Sequence, residues 1–273
     1  MTSALRDILG RRVLILDGAM GTMLQKYPMT LDDFQGHEGC NEILNRTRPE
    51  VVTEIHHEYL EAGADLIETN TFGTNFGSMG EYGIVEQIYD LAARGTALAR
   101  KAADEFSSPE WQRFVIGSSG PGTKLPTLGH APFAVLRDAF EAQFRAMIDN
   151  GVDAVQIETC QDLLQAKAAV IGAQRAASKS GVDLPIFVTV TVETTGTMLL
   201  GSEIGAAVAV LKPLGIDALG LNCGTGPFEM NEHLRYLSRH SRLPLVIMPN
   251  AGLPELTPAG AVYNPGPADF TKQ

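Results

Sequence analysis

Cys223 is the residue best placed to do chemistry in this sequence. It closes a mostly apolar segment, residues 216–222, and the glycine-rich segment 224–227 follows it directly. This pattern predicts a buried strand that delivers one thiol into a tight loop. Active-site groups occupy such positions in parallel-sheet folds. The alternative is that Cys223 only packs, since unpaired cysteines are among the most buried residues in proteins.

Acids and amides follow other apolar segments in the same way. These residues are Asp17, Glu68, Asn70, Glu158, Asn222 and Asn250. Two carboxylates near a thiol suit the binding of an amino acid's ammonium group, because a charge-assisted hydrogen bond favours that pairing. Acid/base hydrolysis remains open as an alternative, although no distinguishing spacing supports it. Either acid alone could also be a helix cap or a solvated loop charge.

Several other chemistries lack their sequence signals. The lysines fall in predicted helices or loops, so a Schiff-base aldolase is not expected. The sequence contains no His-Glu-x-x-His pattern, and the adjacent His56 and His57 cannot share one helix face. The glycine loops at 119–122 and 224–226 could hold a phosphate group, but neither matches a phosphate-binding signature.

Seven short apolar segments predict the strands that position these groups. They are residues 13–16, 64–71, 114–118, 154–157, 186–190, 216–222 and 245–248. Helical patterns such as 133–148 and 163–177 separate them, and this alternation is typical of parallel βα units. We therefore predict an α/β fold, a (β/α)8 TIM-type barrel, as one domain over residues 1–273. A doubly wound open sheet is the alternative, but no Gly-x-Gly-x-x-Gly fingerprint follows the first predicted strand.

A closed barrel of this type needs an eighth strand. The sequence after residue 248 contains no eighth apolar segment, and residues 268–273 look like the start of a helix. We therefore expect a barrel that is truncated before its eighth strand, with its carboxyl-terminal part missing.

Composition narrows the class of partner. The formal net charge of -11 and the pI near 5.0 would repel nucleic acid and anionic lipid, which favours a small-molecule substrate. Residues 1–12 carry charges and lack an apolar signal core, and no segment has the apolar length of a membrane span. We expect a cytoplasmic protein without membrane or nucleic-acid partners. The three cysteines are far apart and odd in number, which predicts reduced thiols.

Four motifs in this order carry a resemblance to a known family. They are Asp17-Gly18-Ala19-Met20-Gly21-Thr22-Met23, the segment 63–72, Gly220-Leu221-Asn222-Cys223 and the segment 248–254. Together they resemble the homocysteine S-methyltransferase family over nearly the whole chain. Among its members the similarity is greatest to the homocysteine-binding domain of those that depend on cobalamin.

The resemblance implies that the barrel activates homocysteine as a zinc thiolate for S-methylation to methionine. Cys223 matches the first of the three cysteines that bind Zn²⁺ in this family. Coordination to Zn²⁺ favours the deprotonated form of the substrate's sulfur, which is the nucleophilic form. By matching position, the substrate's amino acid end is held by Asp17, by the backbone of Gly18, Ala19 and Met20, and by Glu158, with Asn70 and Asn222 as supporting groups.

The chain departs from the family pattern at the other zinc ligands. The family carries them in a Gly-Gly-Cys-Cys motif on the last strand, and this sequence contains no such motif. Cys40 and Cys160 are not expected to replace them, so we expect the chain alone not to retain zinc. No Asp-x-His-x-x-Gly cobalamin motif occurs either, so cobalamin is expected only through a methylcobalamin-carrying domain of a longer parent.

Two other functions remain open at this point. The same barrel mouth could serve a stand-alone thiol methyltransferase that uses a sulfonium or betaine donor. It could also belong to a non-catalytic module that binds thiols or amino acids.

Overall fold

Six parallel strands form the main sheet of this protein. The computed structural model describes residues 4–252, 255–257, 260–262 and 266–271. The sheet consists of β1 (Leu66–Glu68), β2 (Phe114–Ser119), β3 (Ala154–Cys160), β4 (Ile186–Val190), β5 (Ala218–Asn222) and β6 (Leu245–Met248). A separate antiparallel pair, β7 (Glu255–Thr257) and β8 (Gly260–Val262), was not predicted from the sequence.

Helices alternate with the strands along the chain. They are α1 (Ala4–Leu9), α2 (Met20–Leu24), α3 (Leu44–Thr47), α4 (Pro49–Glu61), α5 (Phe76–Glu81), α6 (Ile88–Phe106), α7 (Phe133–Asp149), α8 (Leu163–Ser180), α9 (Ile204–Leu211), α10 (Pro227–His240) and α11 (Pro267–Phe270). Local chemistry sets their ends. Helix α8, for example, begins where the Asp162 carboxylate accepts the backbone N–H of Leu164 at 2.8 Å, and it ends at Gly181 with φ 67°. Within the described residues, no helix is both long and apolar enough to span a membrane.

The strand order confirms a barrel-type α/β fold. The six strands pair in the order of the sequence, each parallel to the next, without the reversal of order that defines a doubly wound sheet. The doubly wound alternative is therefore wrong. The sheet is also strongly curved, because the Gln156 side chain of β3 reaches Met248 of β6, three strands away.

The two faces of the sheet have different neighbours. On one face, residues such as Val155, Val188 and Leu219 pack against α7, α8 and α9 in the largest apolar cluster. Alternate residues on the same strands, such as Ala154 and Phe187, belong to a second cluster on the concave face. This alternation follows from the two-residue period of a strand, and it defines which side chains point into the barrel.

Helix α1 covers the floor of the concave face. Leu5 is buried in the same cluster as the inward residues Phe114 and Phe187. Arg6 holds the helix in place through a 2.6 Å ion pair with Asp217, the residue just before β5. The amino-terminal ends of the strands are therefore closed, and the opposite end is left as the mouth.

The structure differs from the prediction at the first strand. Residues 13–16 run beside β1, but only Leu16 forms a bridge, with Leu66. Val13 and Ile15 are 82% and 58% exposed. In the described part of the chain, β1 is the one strand that pairs with residues 13–16. An apolar segment becomes a regular strand only where neighbouring segments cover it, and here such cover is incomplete.

No eighth strand joins the parallel sheet within the described residues. The sheet ends at β6, and the short α11 occupies the place where the start of a helix was predicted. Most other predicted strands are found within one or two residues of their expected ends. β1 and β3 are the exceptions, because β1 ends at Glu68 rather than running on to Thr71, and β3 runs on to Cys160, three residues beyond its predicted end.

Candidate functional site

The concave face changes from apolar to polar toward the mouth. Gln156 and Thr189 lie above the apolar cluster that α1 covers, and both are fully buried. Ser118, Glu158 and Asn222 follow at the carboxyl ends of their strands, and all three are also buried. Inward positions recur every second residue, so these polar groups form the upper layer of the barrel interior.

Cys223 occupies a tight turn directly after β5. Its backbone φ is 57°, and the following Gly224 also has a positive φ of 71°. The Cys223 N–H donates to the carbonyl oxygen of Met248 at 3.1 Å, which fixes the turn to the end of β6. A left-handed conformation is uncommon for a residue with a Cβ, and such residues occur often at functional sites. The thiol is half-buried, and it lies in the tight loop after a buried strand that the sequence predicted for it.

Asn222 connects this thiol to the neighbouring strand β3. Its side-chain nitrogen lies 3.3 Å from Cys223 Sγ and 2.7 Å from Thr159 Oγ1. Its side-chain oxygen accepts the backbone N–H of Thr159 at 2.7 Å. Thr159 has a positive φ of 57°, at an irregularity in the pairing of β3 with β4. The Asn222 amide therefore fixes the position of the turn at Cys223 relative to the irregular backbone at Thr159.

Glu158 lies behind Asn222 with both carboxylate oxygens engaged. Ser118 Oγ donates to one oxygen, and the Asn222 side-chain nitrogen lies 3.3 Å from the other. Burial raises the pKa of Glu158 to about 7, although the Ser118 hydrogen bond acts in the opposite direction. The site therefore contains a carboxyl group that can change protonation near neutral pH.

The Cys223 thiol is not activated by its protein surroundings. Burial raises its pKa, the charge of Glu158 raises it further, and the contacts from Thr159 and Asn222 only partly oppose this. Nucleophilic cysteines usually have a lowered pKa, whereas coordination to a metal deprotonates a thiol outright. The protein surroundings of Cys223 therefore keep it as a neutral thiol unless a bound cation deprotonates it.

Asp17 and Glu68 bring two more carboxylates to the mouth. Asp17 Oδ2 accepts the backbone N–H of Glu68 at 3.0 Å. Burial raises the pKa of both carboxyl groups well above the usual range, and the charge of Glu158 contributes to each shift. Asp17 Oδ1 and Glu68 Oε1 are buried and have no hydrogen-bond partner among the residues that the structure describes. The mouth therefore has acidic groups with unused acceptor capacity.

The loop after Asp17 passes close to Tyr59 of α4. A Cβ at Gly18 would lie 2.9 Å from the Tyr59 hydroxyl oxygen, so glycine permits this approach. The same hydroxyl lies 3.5 Å from the carbonyl oxygen of Ala19. Met20 then begins the short helix α2. The predicted backbone site at Gly18, Ala19 and Met20 thus adjoins Asp17.

Asn70 is engaged away from this group of residues. Its side-chain nitrogen donates to the carbonyl oxygen of Asn41 at 2.9 Å and to Asn45 Oδ1 at 2.9 Å. In return, the Asn45 amide donates to the Asn70 carbonyl oxygen at 2.7 Å. These bonds tie the β1 loop to the segment before α4. The structure thus brings Asp17, Glu158, Asn222 and Cys223 together and places Asn70 in a separate network.

The other two cysteines lie in different apolar clusters. Cys160 packs in the cluster between the sheet and the outer helices, and Cys40 packs with Ile43 and Met79. Across the described residues, no group of three or more histidine, cysteine or acidic side chains could hold a metal ion. Cys223 thus fits as a single ligand, but the described part of the chain does not form a complete zinc site by itself.

The sequence-based site omitted two residues that contact its members, Ser118 and Thr159, and it named Glu68 as a strand-end acid without giving it a binding role. Ser118 bonds to Glu158, Thr159 bonds to Asn222, and Glu68 bonds through its backbone to Asp17. All three lie at the carboxyl end of a strand, which is the signal that identified the other residues. The signal alone could not assign their contacts, because it does not show which side chain contacts which.

Comparison with known proteins gives both sequence relatives and structural relatives. The family model described as homocysteine S-methyltransferase matches residues 14–273. The chain is 61% identical over 259 residues to the methionine synthases of Mycobacterium tuberculosis and Mycobacterium leprae. This alignment covers 95% of the chain but 22% of each relative, so the chain spans about a fifth of their length.

Solved structures support the fold. The metallated form of the homocysteine methyltransferase MmuM from Escherichia coli superimposes with a TM-score of 0.72, covering 91% of this chain and 87% of that one at 23% identity. Its apo form gives a TM-score of 0.68 at 22% identity, covering 89% and 84%. At this identity the likeness concerns the fold alone. The sequence match over residues 14–273, together with the strand-end motifs, shows that the chain belongs to the homocysteine S-methyltransferase family.

Proposed function

We propose that this chain binds homocysteine in the barrel mouth and presents its sulfur for S-methylation to methionine. The observation that carries the proposal is the position of Cys223, half-buried on a left-handed turn within contact of Asn222 and beside buried carboxylates. Membership of the homocysteine S-methyltransferase family supports the same substrate.

The chain's own residues would bind and orient the substrate. Asp17 and Glu158 offer negative charge to the ammonium group, and the backbone of Gly18, Ala19 and Met20 offers N–H groups to the carboxylate. Asn222 would position the Cys223 sulfur, since it contacts that sulfur at 3.3 Å. Depth in the mouth would exclude water from the substrate's polar end, which strengthens each of these interactions.

We further propose that Cys223 is one ligand of a zinc ion in the active protein. When bound, zinc stabilises the thiolate form of homocysteine, which is the nucleophile for a methyl group. The half-buried position of the Cys223 thiol in the turn after β5 supports this role, because a ligand in the mouth can reach it there. A single thiolate does not hold zinc tightly, so this part of the proposal concerns Cys223 alone.

The methyl donor is proposed to be methylcobalamin carried by other domains of a longer protein. The support is that the chain is 61% identical to methionine synthases while spanning 22% of their length. A stand-alone methyltransferase with a sulfonium or betaine donor, or a non-catalytic binding module, would share the same mouth. Turnover assays with added methylcobalamin, with a sulfonium donor and with betaine distinguish these three functions by the donor that is used. A binding module would bind homocysteine without turnover of any donor.

Calorimetric titration of homocysteine tests the proposed site. We expect weak binding without metal, tighter binding with excess Zn²⁺, and loss of that gain in Cys223→Ala. Cys40→Ala is the matched control, since this thiol is buried in another cluster and should keep the gain. Retention of the zinc-dependent gain in Cys223→Ala would refute the ligand role. Absence of homocysteine binding in the wild-type chain would refute the proposed function.

A further inference from the structure

Thr159 has a backbone conformation that its side chain disfavours. Its φ is 57°, in the left-handed region, although threonine is β-branched. Residues of this type avoid that region because the branched Cβ crowds the backbone, and exceptions cluster at functional sites. The pairing of β3 with β4 is irregular at this point, between Ile157 and Cys160. The fold therefore keeps a strained threonine at the carboxyl end of β3, beside the thiol of the proposed site.

The left-handed conformation changes the direction of the Thr159 side chain. In a regular strand, consecutive side chains point to opposite faces, so Thr159 would point away from the mouth while Glu158 points into it. Instead, both side chains contact Asn222. Its side-chain nitrogen lies 3.3 Å from Glu158 Oε2 and 2.7 Å from Thr159 Oγ1. The strained backbone thus brings a hydroxyl group into the mouth, at a position that simple alternation would not give it.

Several hydrogen bonds hold this backbone in place. The Thr159 N–H donates to the side-chain oxygen of Asn222 at 2.7 Å, and the Cys160 carbonyl oxygen accepts the Thr191 N–H at 3.1 Å. The Thr191 hydroxyl in turn donates to the Asn222 carbonyl oxygen at 3.0 Å. A strained residue persists only where its surroundings determine its conformation in this way. The position of the Thr159 hydroxyl is therefore fixed relative to the end of β5.

The hydroxyl group of Thr159 faces the sulfur of Cys223. Its oxygen accepts a hydrogen bond from the Asn222 side-chain nitrogen, which leaves its own hydrogen for another acceptor. Among the described residues, the acceptor within reach of that hydrogen is Cys223 Sγ, 4.0 Å from Thr159 Oγ1. The Asn222 nitrogen contacts the same sulfur at 3.3 Å. Two donors from different strands thus converge on one sulfur atom.

The two donors differ in what they fix. Asn222 is adjacent to Cys223 in the chain, so its contact alone relates the sulfur only to its own turn. Thr159 comes from β3, and its hydroxyl relates the sulfur to a second strand of the barrel. Metal ligands in proteins are usually oriented by such outer hydrogen bonds, whose loss weakens metal binding. The Thr159 hydroxyl is therefore placed to orient the proposed ligand.

We infer that Thr159 is a positioning residue that holds the Cys223 sulfur in the orientation at which it binds a metal ion. Its hydroxyl group carries this role, and the left-handed backbone is the conformation that delivers the hydroxyl to the sulfur. The inference rests on the proposed function, since it takes Cys223 as a metal ligand. It assigns a role to a residue that the strand-end pattern of the sequence does not select.

The test uses two conservative substitutions and Co²⁺ as the metal probe. Thr159→Val keeps the branched shape and removes the hydroxyl, whereas Thr159→Ser keeps the hydroxyl and removes the methyl group. Titration of each chain with excess Co²⁺ follows the sulfur-to-cobalt charge-transfer absorption, which Cys223→Ala should abolish. We expect Thr159→Val to weaken the Co²⁺ affinity about tenfold, because it removes an outer hydrogen bond to a metal ligand. Thr159→Ser should retain the wild-type affinity.

Calorimetric titration of homocysteine with excess Zn²⁺ provides a second measurement. The zinc-dependent gain in affinity should fall in Thr159→Val and return in Thr159→Ser. Thr96→Val is the matched control, because it removes the hydroxyl of another threonine, which donates to the Ala92 carbonyl oxygen at 2.8 Å within α6. It should change neither measurement. Thr159→Ala replaces Thr159→Val if the latter does not fold, and melting curves verify that each variant is folded.

Four outcomes would count against these assignments. An unchanged Co²⁺ affinity in Thr159→Val would overturn the inference and leave the proposed function standing. An equal loss in Thr159→Val and Thr159→Ser would also overturn it, because the shape of the side chain would then matter rather than its hydroxyl. A wild-type chain without the charge-transfer absorption would overturn the ligand role of Cys223 together with the inference. A wild-type chain that shows the absorption but does not bind homocysteine would overturn the proposed function, and the Co²⁺ titrations would still decide the role of Thr159.

Discussion

The side-chain nitrogen of Asn222 lies 3.3 Å from the sulfur of Cys223, the next residue in the chain. The two side chains of consecutive residues meet because the left-handed turn at Cys223 reverses the alternation of β5. The same nitrogen contacts Thr159 Oγ1 and Glu158 Oε2, so one amide joins the thiol to the polar end of β3.

Asn222→Ala should therefore reduce both stability and homocysteine affinity. The variant leaves the buried Glu158 oxygen and the Thr159 N–H without their partner, which we expect to cost about 1 to 3 kcal/mol of unfolding free energy. Denaturant unfolding and calorimetry measure the two effects. Asn150→Ala, which removes a single amide bond to Ala146 at the end of α7, serves as a remote control. Full stability and affinity in Asn222→Ala would contradict the connecting role.

Asn70→Ala tests the separate network of the β1 loop. Its side chain bonds to Asn41 and Asn45, so its removal should lower the unfolding free energy by about 1 to 3 kcal/mol. The sequence-based assignment instead places Asn70 beside the substrate. A loss of homocysteine affinity in a variant of normal stability would support that assignment over the structural one.

Glu158 should make stability fall as pH rises toward neutrality. Its folded-state pKa of about 7 exceeds the ordinary value of 4.5, so the folded protein binds more protons than the unfolded chain between these values. Stability from this group is thus complete below pH 4.5 and is lost as pH rises through 7. Glu158→Gln should reduce this slope by at most about 1.4 kcal/mol per pH unit, while the raised pKa values of Asp17 and Glu68 leave a slope of the same sign. Denaturant unfolding across the window measures it, and an unchanged slope would contradict the prediction.

His56 should act in the opposite direction. It is fully buried in α4, and neither ring nitrogen has a hydrogen-bond partner in the described part of the chain. Burial lowers its pKa to about 4. The unfolded chain therefore binds more protons between pH 4 and 6.5, and stability falls as pH decreases through this range. His56→Leu should reduce acid sensitivity and raise stability, because it removes two unpaired buried atoms. Acid unfolding monitored by circular dichroism measures the shift, and a variant as acid-sensitive as the wild type would contradict it.

Asp65 should matter for stability rather than for binding. At the amino-terminal end of β1 its carboxylate accepts bonds from Arg12 at 2.8 Å, from the Ile15 N–H at 2.9 Å and from Trp111 Nε1 at 2.7 Å. Burial alone would raise its pKa, but these bonds outweigh burial and lower it to about 2. Asp65→Asn should cost about 1 to 3 kcal/mol above pH 4, and less as pH falls toward 2.

Homocysteine titration of folded Asp65→Asn provides the functional half of this prediction. The floor of a barrel contributes stability, whereas its mouth holds the site, so affinity should stay near the wild-type value. A loss of homocysteine affinity in Asp65→Asn without a loss of unfolding free energy would contradict the assignment of stability to the floor of the barrel and of binding to its mouth.

The sequence by itself determined the repeating βα order and the groups that reach the mouth. Apolar runs that end in Glu158 or in Asn222-Cys223 predict strands and strand ends, because burial requires apolar residues and parallel strands gather their carboxyl ends on one side. This local information was sufficient for the barrel class, for the family and for the place of the thiol in a loop directly after a buried strand.

Only the tertiary structure decided how those groups pair. Glu68 and Asn70 lie two residues apart, so simple alternation would place both inside the barrel. β1 ends at Glu68, however, and the Thr71 N–H bonds back to the Thr69 carbonyl oxygen at 2.8 Å, which turns Asn70 toward Asn45. The choice of hydrogen-bond partner depends on atoms contributed by distant segments. That choice left Asp17 Oδ1 and Glu68 Oε1 without a partner among the described residues, while it occupied both oxygens of Glu158.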